Sequence, residues 1–169
     1  MKTKKSFLLL FISTILIQSC VSVAKLSDFP RTTDGLDFDK ISTLKKLESD
    51  KSWNVKTGYE YYINSVVTND SLIINAIRES LYESGYAIKN YNANFSVVIG
   101  ERGLRANEWK SIAGIYYQIN NEMSQIYIKC KITQDFTGGW SENRAEKIGK
   151  ILCKKLNCME SYPVNYIAK

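Results

Sequence analysis

The chain has 169 residues, 44% of them hydrophobic and 24% charged, with only 9 Gly and 2 Pro, a composition that excludes collagen-like and disordered classes and suits one globular domain. Lys and Arg number 23 against 17 Asp and Glu, but Lys2, Lys4 and Lys5 fall in an N-terminal leader, and the small, interspersed surplus that remains does not make a nucleic-acid-binding face. The chain contains no His, which removes the commonest metal ligand, the usual general base, and every Ser-His or Cys-His catalytic arrangement.

Residues 1–20 read MKTKKSFLLLFISTILIQSC: a Lys-rich start, an apolar run from Phe7 to Ile17 broken only by Ser13 and Thr14, then small and polar residues. This is the order of a secretory signal. A helix that spans a bilayer needs about 20 apolar residues, and this run is little more than half that length, so a permanent transmembrane anchor is not expected. The sequence Leu16-Ile17-Gln18-Ser19-Cys20 resembles the lipobox of bacterial lipoproteins, with a branched apolar residue three before the Cys and a small residue directly before it; Gln18 is larger than is usual there. The resemblance covers the signal alone. It implies cleavage of residues 1–19, with a covalent lipid on Cys20 and attachment to the membrane through that lipid. Val21 follows the Cys where an Asp would signal inner-membrane retention in that family. In a Gram-negative host this implies the outer membrane, with the domain facing the periplasm.

Residues 20–51 are mostly polar, with Pro30, Gly35 and the acidic Asp34, Asp37 and Asp39. Their first half reads as a tether, and Ile41, Leu44 and Leu47 suggest a short amphipathic helix over 39–49. The domain proper is expected over 52–169, with its compact part beginning near Trp53. Tyr59, Tyr61 and Ile63 alternate with Glu60, Tyr62 and Asn64, which predicts a strand over 57–67. Ile73, Ile74, Ile77 and Leu81 share a helical face over 70–84, with Gly85 after the last turn. Further strands are expected over 86–100, 112–119 and 124–134, the last two joined by a turn at Asn120-Asn121. After Thr137-Gly138-Gly139-Trp140, which lacks the phosphate-loop pattern and reads as a turn, Ser141 is a candidate cap for a final helix carrying Ala145, Ile148, Gly149, Leu152 and Leu156 on its core stripe. The expected fold is α+β, in the order β-α-β-β-β-α. Its antiparallel sheet carries two helices on one face and leaves the other face at least partly open.

Candidate binding residues follow from that layout. Arg102, Arg105 and Trp109 lie in the connection 100–110, where the arginines suit an acidic partner and Trp109 an anchoring contact; the alternative is a solvated loop with Trp109 packed on the domain. Tyr62, Tyr116 and Tyr127 are expected on the open face. There they could stack on peptidoglycan or lipopolysaccharide sugars or meet an envelope protein, or pair across strands simply to stabilise the sheet. With Cys20 acylated, three cysteines remain. Cys130 falls on an apolar strand face as a buried thiol, and Cys153 and Cys158 can form a local disulfide if Asn157 breaks the helix and lets the chain fold back. Three cysteines without His make a poor zinc site, so no metal or cofactor is expected. Glu101, Glu108, Asp135 and Glu142 fall near strand ends, and their spacing does not require the acid and base pair of a glycosidase. The leading expectation is a non-catalytic binding or assembly module of the envelope. A glycan-active enzyme using those carboxylates and a purely structural lipoprotein are the alternatives.

Overall fold

The computed structural model describes residues 24–44, 46, 58–103, 110–120, 122–134 and 143–166. The lipobox and Cys20, together with Trp53, Arg105, Glu108, Trp109, Asp135, Ser141 and Glu142, lie outside them. The alternating residues after Gly58 form β1, Tyr59–Ser65, which is paired along both edges by antiparallel neighbours and contributes buried residues to a core on each face of the sheet. Helix α2, Asp70–Glu83, begins where Asn69 accepts a hydrogen bond from the Leu72 N–H at 3.1 Å, satisfying one of the free donors of the first turn. It ends at Gly85, whose φ of +81° allows the Tyr86 and Gly85 N–H groups to return to the carbonyls of Leu81 and Tyr82, the paired bonds of a Schellman cap. The short α1 precedes it at Phe38–Ser42, capped by Asp37. The helix expected over 39–49 is thus shorter than its apolar spacing suggested, ending at Ser42 with Thr43 as its cap; Lys45 and residues 47–49 lie outside the described residues.

The single strand expected over 86–100 is instead a hairpin. Strand β2, Ala87–Asn92, and strand β3, Val97–Arg102, are joined by a tight turn at Ala93–Phe95, with Ser96 in the left-handed region at φ +51°. The Asn-rich run Asn90-Tyr91-Asn92-Ala93-Asn94 carried the signal, since Asn favours turns over strand interiors. Strands β4, Lys110–Ile119, and β5, Ser124–Gln134, form the long central hairpin. Helix α3, Arg144–Leu156, is capped by Asn143 rather than Ser141 and ends at Asn157 with φ +48°. The chain then returns as β6, Glu160–Val164, which the sequence reading missed. Tyr162, Val164 and Tyr166 do alternate, but Pro163 argues against a strand; it is accommodated because β6 is an edge.

The result is an α+β domain with a six-stranded antiparallel sheet in the order β2-β3-β4-β5-β1-β6. Helices α2 and α3 pack on one face, against Tyr59, Tyr61, Ile63, Ile115, Ile126 and Ile128. The second face is not open. The chain from Ala24 to Leu44 lies across it and builds a second core, in which Phe29, Phe38 and Ile41 cover Tyr62, Tyr116, Tyr127 and Tyr162. This corrects the reading of these residues as a tether: their polar composition hides three well-spaced large apolar side chains, enough to bind a sheet face made of tyrosine rings.

Candidate functional site

The segment Ala24–Leu44 forms a strap that enters at one end of the sheet and leaves at the other. Ala24 and Leu26 lie beside Lys110, Ile112 and Thr133, where β4 begins and β5 ends. Phe29 sits over Gly114, so close that a β-carbon there would come within 2.8 Å of the ring. Farther along, the Asp37 N–H donates to the Tyr166 hydroxyl at 3.2 Å, and the Tyr162 hydroxyl donates to the Ser42 carbonyl at 3.0 Å. Lys46 then pairs with Glu160, which stands opposite Asn64 near the far end of β1. The ammonium groups of Lys40 and Lys46 lie 5.6 and 4.9 Å from the ring centres of Tyr166 and Tyr162, within cation–π range.

Beneath the strap, Tyr62, Tyr116 and Tyr127 are 1%, 0% and 1% exposed. The expectation that they form an open stacking platform is therefore corrected. Tyr62 packs on Tyr162 with ring centres 5.4 Å apart, Tyr116 on Tyr127 at 6.1 Å, and Tyr127 edge-on to Tyr166 at 5.8 Å. These contacts are the cross-strand packing that stabilises sheets. The Tyr116 hydroxyl has no hydrogen-bond partner among the described residues, and burial raises its pKa, as it does that of Tyr127.

The sequence reading overlooked Glu60, which is fully buried on this same face. One of its carboxylate oxygens accepts the Tyr166 N–H, and Lys129 stands opposite it across the β1–β5 ladder. Burial pushes its pKa up to about 7, against the opposing pull of the Tyr166 hydrogen bond, the neighbouring Tyr127 hydroxyl and the lysines Lys129 and Lys131. Lys129 is shifted down, also chiefly by burial. In the sequence this carboxylate looked like any wet-face residue of an alternating strand, because its burial depends on a cover more than 15 residues away in the chain.

Arg102, offered above for an acidic partner, is only 4% exposed, so that role is corrected; Arg105 and Trp109 lie outside the described residues. Glu101 bridges two lysines, Lys110 at 2.8 Å and Lys89 at 4.0 Å, and is thereby held as a structural ion-pair partner. Beside it a cavity of about 380 Å³ opens between the strap residues Ala24, Lys25 and Leu26 and the strand residues Lys110, Ile112 and Thr133. Cys153 and Cys158 are joined as a disulfide, with α-carbons 4.9 Å apart, because left-handed Asn157 turns the chain back so that the Cys158 N–H reaches the Cys153 carbonyl. Cys130 is a buried free thiol whose pKa burial pushes up to about 12.

The far end of the sheet is different. Ser65, Ser124 and Ile119 form one cross-strand row, and around it Val66, Leu72, Ile119 and Met159 are exposed large apolar side chains. Val66 follows β1, Leu72 lies in the first turn of α2, and the Met159 N–H bonds the Asn64 carbonyl, so all four belong to this end. Among the described residues no group of His, Cys, Asp and Glu is placed to hold a metal ion, and no helix is long and apolar enough to cross a membrane. No family model and no curated protein matches the chain.

Proposed function

We propose that this chain is a lipid-anchored envelope protein, held by Cys20 in the outer membrane, whose domain acts as a non-catalytic binding or assembly module for another envelope protein. The observation that carries the binding half of this reading is the group Val66, Leu72, Ile119 and Met159, exposed together at one end of the sheet. Both broad faces are already used internally, one by α2 and α3 and the other by the strap. Exposed apolar side chains gathered in one region mark protein contacts more often than isolated ones do. The anchor half rests on the Leu16–Cys20 resemblance to a lipobox. Glycan stacking on the sheet tyrosines is no longer a reading, since those rings are covered.

The test is in-cell crosslinking of the anchored protein, followed by purification in mild detergent and mass spectrometry. Val66→Glu combined with Leu72→Glu alters two exposed side chains. It should remove a stoichiometric protein partner that the unsubstituted chain retains, while leaving the circular dichroism spectrum unchanged. Retention of the same partner by the double variant would refute this surface as the contact.

A further inference from the structure

The place where the strap enters the domain sets how an anchored molecule must stand on its membrane. Cys20 and Ala24 are four residues apart, a separation that a fully extended chain bridges with about 14 Å. Ala24 is buried, and the turn after it is closed by the Asp28 N–H to the Lys25 carbonyl and by the Lys25 N–H to the Asp28 carboxylate, both at 3.0 Å. The exit point is thus held on the body of the domain. It lies beside Lys110, Ile112 and Thr133, at the end of the sheet where β3 finishes and β4 begins. Strand β4 alone has ten residues, about 34 Å at the usual antiparallel rise. The opposite end is therefore farther from Ala24 than the linking residues can reach.

From this we infer that the end of the sheet formed by Lys25, Leu26, Gly103 and Lys110 rests against the phospholipid surface, and that the end bearing Val66, Ile119, Glu122 and Met159 points away from it. The inference rests on the lipid-anchor reading and adds an orientation to it. The contacting surface suits anionic headgroups: Lys25 and Lys89 are exposed and Lys110 is partly so, against Asp28 and Glu101, and juxtamembrane cations are attracted to such lipids. Leu26 and Ile88 are exposed apolar side chains at the same end, suited to the interfacial region. In this orientation the apolar far end is presented to the aqueous compartment, where a protein partner can reach it.

Site-specific quenching tests the orientation. Gly103→Cys and Glu122→Cys place one reactive thiol at each end. A β-carbon at position 103 meets nothing within 4 Å, Glu122 is exposed, Cys130 is buried, and Cys153 and Cys158 are bonded to each other. Each variant, purified with its lipid and labelled with a fluorophore, is reconstituted into vesicles of phosphatidylethanolamine and phosphatidylglycerol that contain a lipid spin-labelled at the headgroup. Mass spectrometry of the N-terminal peptide reports acylation of Cys20, and Cys20→Ser supplies the unanchored control. Quenching severalfold stronger at position 103 than at 122, in the acylated protein only, is the expected result. Equal quenching at the two positions, or stronger quenching at 122, in acylated protein overturns the orientation and leaves the anchor standing. An unmodified Cys20 overturns the anchor, and the orientation with it.

Discussion

Glu60 is a carboxyl group whose burial works against its charge. In the unfolded chain it titrates near its ordinary value of 4.5, whereas in the folded protein burial raises it to about 7. Between these values the folded state holds a proton that the unfolded state has released, so the stabilisation is complete below the lower value and is lost as pH rises through the upper one. The shift corresponds to about 3 kcal/mol at most. The nearby Lys129 reduces the penalty of the charged form without removing it. Glu60→Gln keeps an oxygen for the Tyr166 N–H and cannot ionise. Urea denaturation at pH 5 and pH 8 should show the unsubstituted protein losing stability over that interval and the variant holding nearly constant; an equal loss in both would mean that other groups set the pH dependence.

At the scale of elements, one close approach and one covalent clamp decide how neighbouring elements meet. Gly149 lets α3 settle on the Tyr61 ring, and a β-carbon there would fall 2.3 Å from a ring carbon. Ala is the better helix former by about 1 kcal/mol, but overpacking a filled core costs about 1–3 kcal/mol, and the Tyr61 ring is buried with its hydroxyl tied to Ser161. Gly149→Ala should therefore lose up to about 2 kcal/mol in denaturant unfolding, although helix propensity alone predicts a gain. The disulfide acts on the next junction, between α3 and β6. It closes a loop of only a few residues, and in the chain-entropy account such a loop contributes about 2 kcal/mol. Cys153→Ser with Cys158→Ser should lower stability by that amount, with the largest gain in amide exchange at Glu160–Val164. A uniform gain across the sheet would assign the clamp a global rather than a local effect.

For the molecule as a whole, the strap is the deciding element. Phe29, Phe38 and Ile41 are 1%, 3% and 0% exposed, and they cover tyrosines from four strands. Phe29→Ala should cost about 3–5 kcal/mol, as for other buried phenylalanines. A chain starting at Lys46 should bare the tyrosine face and bind a hydrophobic dye such as ANS. If that shortened chain stayed as stable and as dye-silent as the full one, residues 24–44 would be an accessory to the fold rather than part of its core.

How much of this was legible in the residues depended on how local each cause was. The periods of β1, β4, β5, α2 and α3, the Gly85 stop and the Asn157 break are set by neighbours within a few positions, and those elements lie close to where the sequence places them. The β2–β3 turn was present in its asparagines and was overridden by the apolar alternation that follows. Strand β6 was obscured by Pro163, which is tolerated only because that strand finishes as an edge. Charge, the lack of His and the lipobox-like Leu16–Cys20 are likewise properties of the chain itself, and they bound what chemistry can be expected and suggest where the protein is held. Which sheet face is covered, that Glu60 and Arg102 are buried, and that Val66, Leu72, Ile119 and Met159 meet at one end were decided by tertiary structure alone. The cover over the tyrosine face and over Glu60 comes from Ala24–Leu44, which lies far from those strands in sequence, whereas Arg102 points to the helix-covered face beside Tyr86 and Ser111; side-chain periodicity tells which residues share a face but not what will lie against it.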